Sequence, residues 1–163
     1  MVGNYKVITL CGSTRFKDDF MKEQKRLTLE GNIVISVGLF GHAGDNEVWE
    51  GMDEDTLTQT KIMLDDMHKR KIDMADEIFV INVDGYIGES TKSEIEYAKW
   101  NNKKVRYLIN PLIGKRVKHK REIGIHIVKS VTDFDEDTFG QGNYAVMTED
   151  GRYLYECEIE ILD

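Results

Sequence analysis

Apolar and polar positions along the first two thirds of the chain alternate between two periods, one of strands and one of helices. Lys6 to Leu10 (KVITL) is a short apolar run ended by the turn signal Cys11-Gly12-Ser13. From Phe16 to Glu30, Phe16, Phe20, Met21 and Leu27 recur near helical spacing, and Gly31-Asn32 closes that helix. Ile33 to Val37 (IVISV) is continuous and β-branched, the pattern of a strand covered on both faces. Ile62 to Ala75 predicts a second helix, with Met63, Met67 and Met74 as core residues beside Ile72. Glu77 to Val83 (EIFVINV) is the clearest buried strand. Asp84 to Ser90 (DGYIGES) is then a glycine-bearing turn, Thr91 to Asn101 a third helix, and Lys104 to Ile109 (KVRYLI) a fourth strand closed by Pro111. The order β-α-β-α-β-α-β predicts parallel strands joined by right-handed crossovers.

Two stretches depart from this rhythm. Gly38 to about Thr60 is long, polar and glycine-bearing, and loops of that length inside a domain are often functional. Beyond residue 115 the pattern turns to antiparallel strands. Gly124 to Val131 and Tyr144 to Thr148 read as strands, and Asp150-Gly151 as a hairpin turn. Tyr153 to Ile161 alternates, with Tyr153, Tyr155, Cys157, Ile159 and Ile161 on one face and Glu156, Glu158 and Glu160 on the other. The division expected is an α/β ligand-binding domain over 1–115 and a small β extension over 116–163, covering a sheet edge or a partner subunit.

Composition narrows the function classes. The 163 residues are 40% hydrophobic and 32% charged, enough for one domain with a real core. Thirty acidic against 22 basic groups give a net charge of −8, which disfavours a general nucleic-acid binder but leaves room for a small anion in a local positive pocket. No apolar run approaches the ~18 residues of a membrane span, and the start, MVGNYKVITL, shows no secretion leader. Cys11 and Cys157 lack metal-ligand spacing and suit a reduced, cytoplasmic protein. The histidines, His42, His68, His119 and His126, have no HxxxH-type spacing, so no metal site is expected.

In an open parallel sheet a ligand sits beyond the carboxyl ends of the strands, where strand order reverses, here between the first and third strands. Cys11 to Arg15 and Asp84 to Thr91 meet there, and both lead into helix N-termini that favour anions, with Arg15 and Lys92 adding positive charge. As plain turn residues they would only cap two helices. Glu94 falls at the start of the third helix, where a carboxylate suits nucleophilic attack on an anomeric carbon. Thr91-x-x-Glu94 is equally the spacing of a capping box. His68 reads either as a solvated helix residue or as a hydrogen-bond donor to a sugar or phosphate. In the long loop, Phe40, His42, Asp45, Trp49, Glu50 and Asp53 offer either a stacking and base-reading surface or a solvated acidic loop with Trp49 tucked inward.

Three segments together, CGSTRF after strand one, DMADEIFVINV as strand three and GESTKSEIEYA opening helix three, resemble the nucleoside 2-deoxyribosyltransferase family over roughly residues 5 to 110. The resemblance implies a flavodoxin-like (Rossmann-like) sheet and cleavage or transfer of an N-glycosidic bond of a nucleoside or its 5′-monophosphate. It implies Glu94 as the covalent nucleophile and Asp84, or Glu89, in place of a second family acid. Cys11, Gly12, Ser13, Arg15, Phe16, Gly88, Ser90 and Thr91 fall at its substrate-binding positions. The family's sugar-orienting Asp is replaced by His68, with Asp65 and Asp66 one turn earlier, and Cys11 stands where a polar or aromatic residue is usual.

The expected function is therefore N-glycosyl transfer or hydrolysis on a nucleoside or nucleotide, with Arg15, Ser13, Ser90 and Thr91 on a 5′-phosphate, no cofactor, no nucleic-acid polymer or membrane partner, and a homo-oligomeric state. A non-catalytic nucleotide-binding or sensing module, and a purely structural role for which only the tail speaks, are the alternatives.

Overall fold

In the computed structural model, which describes residues 3–134 and 144–162, the first strand, β1 (Val7–Gly12), pairs on both sides. It lies between β2 (Ile33–Ile35) and β3 (Glu77–Ile81), and β3 pairs with β4 (Lys104–Tyr107), all parallel, in the order β2-β1-β3-β4. This Rossmann-like parallel α/β sheet is the one the strand-helix rhythm predicts. Between the strands run α1 (Lys17–Leu29), α2 (Glu54–Asp73) and α3 (Glu89–Trp100).

Alternate residues of β3 explain why all five are buried. Phe79 and Ile81 join Ile8, Leu10, Phe20 and Leu27, the side covered by α1. Ile78 and Val80 join Cys11, Ile72, Ile95 and Ala98, the side covered by α2 and α3. A strand with helices on both faces has no solvent side to keep polar, so after Glu77 its sequence runs apolar.

Several boundaries differ from expectation for local reasons. β2 is not covered on both faces: it is a three-residue edge strand whose Ile33 is half exposed. Helix α2 begins eight residues before Ile62, because the Asp53 carboxylate accepts the Thr56 N–H at 2.8 Å and caps a polar first turn that carries no apolar period. Its buried residues are His68 and Ile72, and Met63, Met67 and Met74 are about half exposed, against their expected place in the core.

The chain divides after Ile109 into two compact units. The second is a five-stranded antiparallel sheet, β8-β7-β6-β5-β9, built from β5 (Arg116–His119), β6 (His126–Asp133), β7 (Tyr144–Thr148), β8 (Tyr153–Tyr155) and β9 (Ile159–Ile161). Val117, Val128, Val146, Leu154 and Ile159 form its core. The single alternating strand expected over Tyr153 to Ile161 is two strands on opposite edges of that sheet. A 3₁₀ turn at Glu156–Glu158, where the Tyr155 N–H donates to the Glu158 carboxylate at 3.0 Å, breaks the alternation, so Tyr153, Cys157 and Ile161 are exposed while Leu154 and Ile159 are buried. Strand β5, rich in basic residues, carries no apolar run that would have announced it. Among the described residues no helix is long and apolar enough to cross a membrane.

Candidate functional site

The carboxyl ends of β1 and β3 open into a cavity of about 830 Å³, at the reversal of strand order. Gly12 sets its floor. Its φ is +153°, and a Cβ there would stand 2.8 Å from the Ile81 carbonyl oxygen, so only glycine lets the chain leave β1 against β3. Gly12 to Arg15 form one wall, the start of α3 (Gly88 to Thr91, and Glu94) a second, and Asp65, His68 and Lys71 of α2 a third. Val37 to Leu39, Gly41, His42 and Trp49, following β2, also line it.

Helix α3 begins at Glu89 with Gly88 as its N-cap, and no side chain caps it. Thr91-x-x-Glu94 is therefore not a capping box: Thr91 is buried within the first turn, and Glu94 stands in the second turn, facing the cavity. The uncapped first turn leaves backbone N–H groups of Glu89, Ser90 and Thr91 without helical partners at the cavity edge, a setting that favours an anion. Beside it the Arg15 guanidinium lies 4.4 Å over the Tyr86 ring and donates to Ser13 Oγ at 3.1 Å and to Tyr86 Oη at 3.3 Å. Lys92 does not join this cluster; it donates to Glu89 at 2.6 Å on the solvent side.

Glu94 is the nearly buried carboxyl group of this cavity. Its side chain is only 12% exposed, Oε1 lies 3.9 Å from His68 Nε2, and Oε2 is buried with no hydrogen-bond partner. Burial pushes its pKa up to about 8; Asp65 pushes the same way, while the Cys11 thiol and Lys69 pull it down. His68 is buried, not solvated, and burial together with Lys71 pushes it down to about 4, leaving a neutral ring. Cys11 Sγ is 3.5 Å from His68 Nε2, and burial, with Glu94 nearby, lifts the thiol well above its usual range. At neutral pH all three groups are thus uncharged.

This has a measurable consequence for stability. Glu94 holds its proton in the folded chain up to about 8 and releases it near 4.5 when unfolded, so its contribution to stability falls as pH rises between those values. His68 acts oppositely, and only between about 4 and 6.5. From pH 6.5 to 8 the Glu94 effect stands alone, and the wild type should lose about 2 kcal/mol relative to Glu94→Gln, read by urea unfolding at the two pH values. Parallel curves for the two proteins would contradict the buried, protonated carboxyl.

The structure brings together Gly12, Ser13, Arg15, His68, Gly88, Ser90, Thr91 and Glu94 around one cavity, with Cys11 fully buried behind His68. Two candidate residues fall elsewhere. Asp84 is exposed in the turn after β3, with φ of +51°, and does not line the cavity. Phe16 packs on the α1-side core, edge-on to Tyr86 at 6.0 Å. Of the long loop, His42 and Trp49 reach the cavity and Thr14 Oγ1 holds His42 Nδ1 at 2.7 Å, whereas Phe40 is core, Asp45 accepts the Phe40 N–H and Asp53 caps α2. Glu50 is exposed, outside the cavity wall.

Sequence reasoning missed Tyr86 and Lys71. The signal for Tyr86 was an aromatic in a turn before a helix N-terminus; for Lys71, its place three residues after His68 on the same helix face. Trp49 is fixed by a missing side chain: a Cβ on Gly41 would stand 2.5 Å from Trp49 Nε1. Gly41→Ala should therefore turn the indole outward and shift tryptophan emission to the red, above the constant background of the exposed Trp100. An unchanged spectrum would mean the indole is not seated there.

Comparisons with family models, with curated proteins and with solved structures return no match. The function has to be argued from the site.

Proposed function

We propose that the chain cleaves or transfers the N-glycosidic bond of a nucleoside 5′-monophosphate, with Glu94 as the nucleophile. The observation that carries this is Glu94, a nearly buried carboxyl group lining a cavity of nucleotide size, in the same cavity as an uncapped helix N-terminus and Arg15. In the reaction the carboxylate forms a bond to C1′ of the pentose as the C–N bond breaks. The base leaves with the bonding electrons and takes a proton from solvent or a neighbouring acid. Water or a second base then resolves the ester. The transition state is oxocarbenium-like and positive, so it favours the ionised carboxylate that burial disfavours in the free protein. Ser13, Arg15, Ser90 and Thr91 hold the 5′-phosphate, and Trp49 offers a stacking face to the base. The resemblance to the nucleoside 2-deoxyribosyltransferases supports this reading and carries a homo-oligomeric state with it. Both cysteines are free, in keeping with a reducing, cytoplasmic compartment.

The deciding experiment offers a panel of ribo- and deoxyribonucleosides and their monophosphates at pH 6 to 9 and reads released base by chromatography. Release favouring monophosphates supports the proposal; no release from any member ends it. The proton that Glu94 holds at neutral pH favours a second reading, a nucleotide-binding module without turnover. Under that reading nucleotides bind the wild type and Glu94→Gln alike and stay intact.

A further inference from the structure

Three side chains of different chemistry, from β1, α2 and α3, converge behind the cavity wall. Cys11 Sγ, His68 Nε2 and a Glu94 carboxylate oxygen all lie within 4.8 Å of one another. The thiol and the ring nitrogen stand 3.5 Å apart. Thiolate and imidazole bound at ~2.3 and ~2.0–2.1 Å to one tetrahedral zinc stand about 3.5 Å apart, so this pair already has the separation of two ligands of one ion. Glu94 Oε1, 3.9 Å from Nε2, needs to close by about half an ångström, a rotation of a carboxyl group whose other oxygen is buried without a partner.

We propose that Cys11, His68 and Glu94 bind a divalent cation of the zinc class, with the fourth coordination position open to the cavity. One sulfur, one imidazole nitrogen and one carboxylate oxygen select zinc over magnesium or calcium, which take oxygen ligands. Three protein ligands with an open position is the arrangement of reactive zinc sites, whereas purely structural sites are closed by four. The surrounding charges are mixed: Asp65 faces Glu94 and favours a cation, Lys69 opposes it, and Lys71 is turned to the Ser36 carbonyl at 2.9 Å. No hydrogen bond holds the carboxyl group at its other oxygen, Oε2, so Oε1 is free to turn toward an ion. The inference goes beyond the glycosyl-transfer reading and does not depend on it. Ion and pentose compete for the same carboxylate, so a bound ion holds the nucleophile back.

The test uses the full chain, reduced and stripped of metal, titrated with Co²⁺. The expected result is one ion per chain with tetrahedral visible bands, a thiolate-to-cobalt charge-transfer band in the near ultraviolet, and displacement of both by Zn²⁺. Cys11→Ser should lose the charge-transfer band, while Cys157→Ser, which removes the exposed cysteine, should keep it. His68→Gln should weaken Co²⁺ at least about tenfold. Circular dichroism checks that each variant is folded. If Cys11→Ser is not, Glu94→Gln serves instead, expected to keep the thiolate band and bind about tenfold more weakly or worse. A wild type without the charge-transfer band, a band that survives Cys11→Ser, or one that vanishes in Cys157→Ser overturns the proposal.

Discussion

Glu94→Gln should lower base release by about three orders of magnitude or more while the variant still folds and binds nucleotide. The amide keeps the size of the side chain and cannot form an ester with C1′. It is also neutral, as Glu94 itself is at pH 7, so the buried second turn of α3 experiences no new charge. The wild-type pH profile supplies an independent check. An attacking carboxylate must be ionised, so kcat/KM should rise with pH and level off near 8, the value to which burial lifts this group. A general acid in the same place would give the opposite slope, falling through 8. Equal release by wild type and variant would remove Glu94 from the chemistry. A descending profile, with release still lost in the variant, would keep the residue and reassign it as a proton donor.

How much of this was legible in the sequence follows from where each piece of information resides. The parallel sheet was legible because β3 is apolar at every step after Glu77 and is flanked by helical periods, a pattern written within short windows. The cavity position followed from strand order alone. The state of Glu94 did not. Thr91-x-x-Glu94 matches a capping box letter for letter, and only the placement of Gly88 as N-cap moves Glu94 from the first turn into the second. The start of α2 was hidden for a related reason: it is set by the Asp53 cap, and the polar turn that follows has no apolar stripe to announce it. The face that α2 turns inward buries His68 and leaves the methionines about half exposed. The convergence of Cys11, His68 and Glu94 was out of reach, since it depends on the Cys11↔Val80 register and on two helix rotations at once. Neither is encoded in the spacing of those three residues along the chain.

Glu77→Ala should destabilise the first unit by about 3–5 kcal/mol, a drop in Tm on the order of 10 °C or more. Glu77 opens β3 and is 2% exposed, yet it is a carboxylate. It persists there because two cations meet it from the flanking strands: Arg106 of β4 donates to Oε1 from Nε at 2.8 Å and also from Nη2, and Lys6, next to β1, reaches Oε2 at 3.3 Å. The register places it between them, Glu77 opposite Ile8 on one side and Lys104 on the other, so the ion pairs tie three strands together at the end of the sheet away from the cavity. Removing the carboxylate leaves the Arg106 guanidinium, itself only 30% exposed, without its partner, and that unpaired charge accounts for most of the loss. Two comparisons separate this from a simple cavity. Arg106→Met alone should also destabilise, by leaving the buried carboxylate only the half-exposed Lys6, and Glu77→Leu combined with Arg106→Met should recover much of the stability, because neither charge is then buried unpaired. Additive losses in the double variant, measured by urea unfolding, would show that β3 needs the volume of Glu77 and not its charge.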